Sequence, residues 1–292
     1  MEKKMRTRVV GALCCWWRGA LLMAGWAAFA QGAAAEAALH AVGPTPGWVA
    51  PVLPEVAAKA PAEQVSEGVQ YLLLDEQIRV EAQDKTRFRH MASKALNERG
   101  LESVANIEIR FDPSYQKLTL HSINLRRGAQ VIAKLPTAQV KVLQREAGLE
   151  SLIFDGSRTA HVFLDDVRVG DVVEYAYSVR GSNPVFANRQ FGGFELQYSV
   201  PVARIHARLW WPTSRPVHWK RQNDAPEPQV ATSGEHTLYT WDLRDVPARA
   251  SESDAPPGYD PYPSVQWSEF GDWRAVSAWL RLAFSRSCLA FS

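Results

Sequence analysis

Residues 171–180 read DVVEYAYSVR. In an extended chain Val173, Tyr175, Tyr177 and Val179 share one side and Glu174, Ala176 and Ser178 the other, which is the period-2 pattern of a strand. The pattern recurs outward in both directions. Ile107, Ile109 and Phe111 alternate with Glu108 and Arg110, and the strand signals begin at Val69. Phe194, Leu196, Tyr198 and Val200 form another row. In RIHARLWW (204–211) Ile205, Ala207, Leu209 and Trp211 oppose Arg204, His206, Arg208 and Trp210, and HTLYTWDL (236–243) continues the series. Turn signals separate the runs: Asp112-Pro113, Arg127-Gly128, Asp155-Gly156, Gly170-Asp171, Asn183-Pro184 and Ser233-Gly234. Gly192-Gly193, inside a strand pattern, is read as a bulge. About ten strands, each with one buried face, predict an all-β fold, an antiparallel β-sandwich over residues 68–245.

The flanks differ. Residues 31–67 are rich in Ala and Pro, and Pro44, Pro46, Pro51, Pro54 and Pro61 predict an extended lead-in. Residues 246–292 hold a Pro-rich linker, APPGYDPYP (255–263), and then one amphipathic helix. Trp273, Val276, Leu280 and Phe284 stand at helical spacing and Asp272 is placed to cap the helix. Internal repeats are not evident.

Residues 1–30 carry Lys3, Lys4, Arg6 and Arg8, then an apolar stretch ending in Ala28-Phe29-Ala30. That order predicts a cleaved signal peptide and hence a secreted or periplasmic destination. Cleavage is placed after Ala30, with Ala33 and Ala35 as alternatives. Arg18 interrupts the apolar run, and a charge at the centre of a spanning helix costs about 2.5–3.5 kcal/mol, which argues against an anchor. Membrane attachment follows only if the peptide stays uncleaved. Leu13 before Cys14 does not suit lipidation.

The chain has 292 residues, 33 Lys plus Arg against 31 Asp plus Glu, and 46% apolar residues. That is globular composition without the basic excess of a nucleic-acid binder. Loss of residues 1–30 would remove five basic residues and one acidic residue, and leave Cys288 as the single cysteine, so no internal disulfide can form.

Chemistry-bearing motifs are scarce. The seven histidines include no pair at i, i+4, and neither HExxH nor CxxC occurs, so no metal or other cofactor is expected. Asp165, Asp166 and Asp171 lack the alternating ligands of a calcium loop and are read as turn caps. Ser157 and Ser182 lack a GxSxG elbow and are read as turn serines. Among the tryptophans, Trp211 and Trp241 are expected in the core. Trp267, Trp273 and Trp279 are left between the core and an exposed face for a partner or sugar rings. With Val276 and Leu280 they form the candidate interaction surface, and no catalytic, cofactor or metal residue is assigned.

YLLLDEQIRV (71–80), FDPSYQKLTLHSINLRRG (111–128), LQREAGLE (143–150), DGSRTAHVFLDDVRVGDVVEYAYSVRGSNPVF (155–186) and SEFGDWRAVSAWL (268–280) follow in a characteristic order. Over about residues 68–282 the chain resembles the N-terminal domain of unknown function, family 3857, of bacterial transglutaminase-like secreted proteins. The resemblance implies a signal peptide, this β domain and then a papain-like core with a Cys-His-Asp triad. The residues after 280, RLAFSRSCLAFS, hold no His, Asp or Glu, and Cys288 is read as incidental. The expectation is therefore a non-catalytic secreted module, the front half of a transglutaminase-like protein without its catalytic core, the reading frame truncated or frameshifted. Two alternatives remain: a stand-alone binder of cell-envelope glycan or protein, and part of an active enzyme completed by a separate polypeptide. The expected partner is accordingly a missing or separate transglutaminase-like core, or an envelope protein or glycan.

Overall fold

The structure, a computed structural model, describes residues 39–55, 68–144, 156–250, 256 and 258–289, the side chains of 283–289 excepted. The expected signal peptide, Cys14 and Cys15, most of the 143–150 block and the Cys288 side chain lie outside the described residues. The chain divides into residues 1–40 and a compact unit, Ala41–Ser292. No described helix is long and apolar enough to cross a membrane.

The expected all-β, sandwich-like class holds, with fifteen strands and two helices among the described residues. The largest sheet runs β1 (His40–Val42), β5 (Lys117–Arg127), β9 (Val172–Arg180), β3 (Lys85–Ala95), β2 (Val69–Val80), β11 (Val202–Pro212), β14 (His236–Val246) and β13 (Gln229–Ser233), with β6 (Gln130–Ala133) on β5. A second sheet has the order β10 (Phe191–Glu195), β15 (Ser264–Ser268), β12 (His218–Gln222); a third has β4 (Asn106–Phe111), β8 (Arg158–Phe163), β7 (Val140–Leu143). β15 lies between the Pro-rich linker (255–263) and the expected helix, where no strand was expected. The quoted segment is β9, held between β3 and β5.

Five expectations need correction. The large sheet is mixed, because β11 returns to the open edge of β2 in parallel, Ile205 opposite Leu74 and Leu209 opposite Ile78. A second helix, α1 (Glu98–Ala105), was not foreseen. Asn97 caps it, its side chain accepting from Gly100 N at 2.9 Å. Gly100 is required there, since a Cβ would meet the Gly68 carbonyl oxygen at 1.9 Å. Gly192-Gly193 is no bulge: both pair in regular register, and a Cβ on Gly192 would stand 2.6 Å from a ring carbon of Trp267. The Phe194–Val200 row ends as a strand at Glu195.

The fifth correction concerns burial. β9 is buried on both faces, Val173 and Tyr177 on one and Glu174, Ala176 and Ser178 on the other. One face of the large sheet meets β10 and β15 in a core that includes Ile78, Leu209, Trp211, Trp241, Phe194 and Trp267. Across the opposite face runs the Pro-rich segment 43–55. Gln77 receives a hydrogen bond from Ala50 N at 2.9 Å and donates to Ala50 O at 2.7 Å. Arg204 reaches Leu53 O at 3.3 Å, and Val52 sits among Leu72, Leu73 and Ala92.

The buried side chains of Asp75, Gln77, His206, Glu174 and Ser178 on this covered face are paired, whereas the Trp210 indole N–H, on the same side of β11 as His206, has no hydrogen-bond partner among the described residues. His206 Nδ1 is 2.7 Å from Asp75 Oδ1, whose other oxygen accepts from Gln77. His90 meets Glu174 at 2.8 Å, and Arg126 donates to the same carboxylate. His121 Nδ1 lies 2.9 Å from the Gly43 carbonyl, which only accepts, so Nδ1 carries the proton and Nε2 accepts from the Ser178 hydroxyl at 2.5 Å. Burial lowers the His121 pKa against the opposing pull of the backbone carbonyls of Gly43 and Pro44. Burial would raise Glu174, but the hydrogen bonds from His90 and Arg126 outweigh it and hold the carboxyl at about 2.

Both shifts have the same consequence. The unfolded chain binds more protons than the folded one, at His121 below its ordinary 6.5 and at Glu174 between 4.5 and about 2. Stability should therefore fall as acid is added, the carboxylate contributing on the order of 3 kcal/mol above pH 4.5 that is lost toward pH 2. Urea unfolding at stepped pH reads this, and Glu174→Gln should flatten the acid limb. A stability that rises on acidification would contradict the assignment.

Candidate functional site

The second sheet carries a cleft of about 830 Å³ between β10, β15 and β12 on one side and the start of α2 (Trp273–Leu289) on the other. Its floor is built by alternation. Trp267 on β15 turns inward and is 1% exposed, edge-on to Trp211 at 5.4 Å, and Gly192 opposite it leaves room for the ring.

The helix enters through a fixed corner. Ser268 Oγ accepts from Phe270 N at 2.9 Å. Glu269 accepts from Arg215 Nε at 2.7 Å and from Gln190 N at 2.6 Å, while Arg215 also reaches the Glu81 and Asn188 carbonyls, each at 2.7 Å. Asp272 then caps the helix as expected, its Oδ1 accepting from Ala275 N at 2.7 Å.

One turn later Trp279 seats in an aromatic socket. It stacks on Phe186 at 5.0 Å and meets Phe270 edge-on at 5.8 Å, and Phe186 in turn meets Phe191 at 4.7 Å. Its indole N–H donates to the Val185 carbonyl at 3.0 Å. Part of the apolar face of α2 is thus covered by the chain itself. Among the described side chains of α2, Trp273 is 83% exposed, and Leu280 and Leu282 are also exposed. Of the five candidate residues, Trp267, Trp273, Val276 and Trp279 line the cleft, and Leu280 stands outside it. Their roles separate into a buried floor (Trp267), a socket (Trp279 with Val276) and a rim (Trp273). His218, Lys220, Asp260 and Gln266 supply polar groups around the cleft.

The buried Asp75–His206 pair was not legible in the sequence, its members being 131 residues apart. A carboxylate on Nδ1 is the arrangement that orients a catalytic imidazole. Among the described residues no hydroxyl or thiol is hydrogen-bonded to His206, and the pair joins the parallel strands β2 and β11. Asp171 and Asp166 act as turn and strand-end anchors. Arg127 donates to both; it holds Asp171 below the usual carboxylate range, Arg168 and then Arg127 do so for Asp166, and Asp171 also accepts from Arg168 N at 2.8 Å. Ser157 accepts from Arg110, and Ser182 bonds Gln190. No group of three or more His, Cys, Asp or Glu among the described residues is placed to hold a metal ion.

A family model for a domain of unknown function with a solved structure, DUF3857, matches residues 81–250, more than half the chain. No curated protein matches. Among solved structures, a protein of Parabacteroides distasonis described as a putative protease superposes with a TM-score of 0.63 at 15% identity. The alignment covers 72% of this chain and 42% of that one, so the chain spans less than half the length of that protein, and the likeness shows the fold alone. An M1 zinc metallopeptidase of Deinococcus radiodurans (TM-score 0.37, 11% identity, 69% of this chain and 42% of that one) overlaps more loosely. So does a putative nutrient binding protein of Legionella pneumophila (0.35, 9% identity, 75% and 73%).

The socket makes a direct prediction. Trp279→Ala should free α2, raising amide exchange in the helix, while the unfolding midpoint of the body changes little. Trp267→Ala should cost about 3–5 kcal/mol, because it empties a packed core position. Equal effects of the two substitutions in hydrogen exchange and urea unfolding would contradict the division into socket and floor.

Proposed function

The chain belongs to the DUF3857 family of domains of unknown function, and on that premise we propose that it is a non-catalytic β-sandwich module of a transglutaminase-like cell-envelope protein. It works by docking a papain-type core, on the same chain or a separate one, against the rim of the aromatic cleft. The carrying observation is the half-covered helix. Trp279 is anchored in its own module, whereas Trp273 and Leu280, two turns apart on one side of the same helix, are exposed. Anchoring fixes the presentation of the exposed side chains, so less ordering entropy is lost when a partner covers them. Exposed aromatic and leucine side chains beside a concave cleft are the usual makings of a protein interface. Support of a second kind comes from the Parabacteroides protein, described as a putative protease, in which this fold accounts for less than half the length.

A second reading has its own observation. Asp260, Gln266 and Lys220 line the same cleft as the exposed Trp273, a composition also suited to stacking on and hydrogen bonding a sugar. The secretory address remains part of the proposal and rests on residues 1–30.

Calorimetric titration of the purified chain with a separately expressed transglutaminase-like core, alongside sedimentation with peptidoglycan, distinguishes the two. The docking reading expects saturable binding to the core that weakens about tenfold or more in Trp273→Ala with Leu280→Ala, without change in melting. Saturable binding to peptidoglycan alone would favour the glycan reading. Amide or transglutaminase turnover by the chain itself, abolished on alkylation of Cys288, would overturn the non-catalytic assignment.

A further inference from the structure

β3 places Lys85, Arg87 and Arg89 at alternate positions, so one strand face carries three successive cations toward the side where Tyr177 and Val179 of β9 also lie. Together with Arg110 of β4 these residues line a cleft of about 650 Å³ between the large sheet and the third sheet. The charges do not balance evenly. Glu76 of β2 takes two of the cations, Arg89 Nη2 at 2.7 Å and Arg87 Nε at 2.9 Å. Arg110 donates to Ser157 at 2.9 Å, and Glu108 and Asp112 also line the cleft.

Lys85 is different. Among the described residues its ammonium has no carboxylate partner. It donates to the Phe191 carbonyl at 2.9 Å and lies 5.6 and 5.4 Å from the Phe191 and Trp267 rings. A neutral carbonyl and two ring faces satisfy a cation only in part, and Arg87 next to it repels. Burial first, then Arg87, lowers the Lys85 pKa to about 8 against the pull of Glu76. The cleft is thus built with one positive charge in excess.

We propose that this cleft binds a single oxyanion, a carboxylate or phosphate group borne by a small ligand, with Lys85 as the ion-pairing group and Arg87 and Arg110 beside it. The Lys85 ammonium lies against Phe191 and Trp267, which also line the aromatic cleft, but the proposal does not rest on a partner docking there. Charge-assisted hydrogen bonds to an oxyanion would replace the weak acceptors that Lys85 now has. Binding would take up a proton when the lysine is neutral, so affinity should be greatest below pH 8 and decline above it. The ionisable groups around Lys85 are Arg87 and Arg89 on its own strand, Glu76 on β2, Tyr177 on β9, Glu108 and Arg110 on β4, and Asp112 and Tyr115 in the turn that follows.

The test is an NMR titration of the full chain with 13C-labelled lysine, run in chloride, in inorganic phosphate and in acetate at matched ionic strength. In chloride the Lys85 signal should titrate near 8, and a bound oxyanion should raise that midpoint by about one unit or more, as a new counter-charge does. A rise with phosphate alone identifies a phosphate ligand; a rise with acetate as well identifies any oxyanion, carboxylates included. Midpoints equal in all three salts overturn the proposal. Lys85→Arg assigns the signal. Acetylation of the unaltered protein at pH 8 supplies a second readout should that variant fail to fold. Lys85 should react about a hundredfold faster than an ordinary lysine, and the effective anion should protect it. Ordinary reactivity without protection counts equally against the site.

Discussion

A sheet buried on both faces loses stability at each buried polar side chain left without a partner, and the large sheet here carries many such side chains. Asp75, Gln77, His206, Glu174 and Ser178 are all buried on the face crossed by segment 43–55. Each unpaired group there would cost a few kcal/mol in desolvation. The structure meets the constraint by pairing across strands: Asp75 with His206, Glu174 with His90 and Arg126, Ser178 with His121. The Pro-rich segment completes the set through its own backbone at Gly43, Ala50 and Leu53. Proline suits that task, because a segment that bonds side chains cannot also close a regular ladder.

The opposite face is organised by size. Tryptophan at 211, 241 and 267 fills the space between the large sheet and β10–β15, and glycine at 192 makes the closest approach possible. From that rigid floor the corner Ser268-Glu269-Phe270 directs the chain into α2, with Arg215 binding Glu269. Trp279 then ties the helix down, which leaves Trp273 and Leu280 presented from a fixed frame.

Much of this was written locally in the sequence. The alternation of DVVEYAYSVR, the core tryptophans Trp211 and Trp241, the Asp272 cap and the turn at Gly234 all depend on neighbours a few residues away. Helix α1 was hidden because Gly100 lowers helix propensity, although Asn97 followed by Leu101, Val104 and Ala105 at helical spacing was a usable signal. Polar residues on strands were read as facing solvent. The segment that buries them lies far off in sequence, as do the partners of Lys85 and of His206. Those long-range pairings carry no local pattern. Of the candidate interaction residues, spacing placed four on the right helix, while the inward turn of Trp267 depended on its partners β10 and β12.

The account rests on α2 being a presented surface whose far side belongs to another domain. Hydrogen–deuterium exchange of the chain, with and without a transglutaminase-like core, measures this directly. The account predicts slowed exchange in α2 and in β10 and β15 beneath it, with segment 43–55 unchanged. Unaltered exchange in α2 at saturating core, or protection confined to segment 43–55, would contradict it.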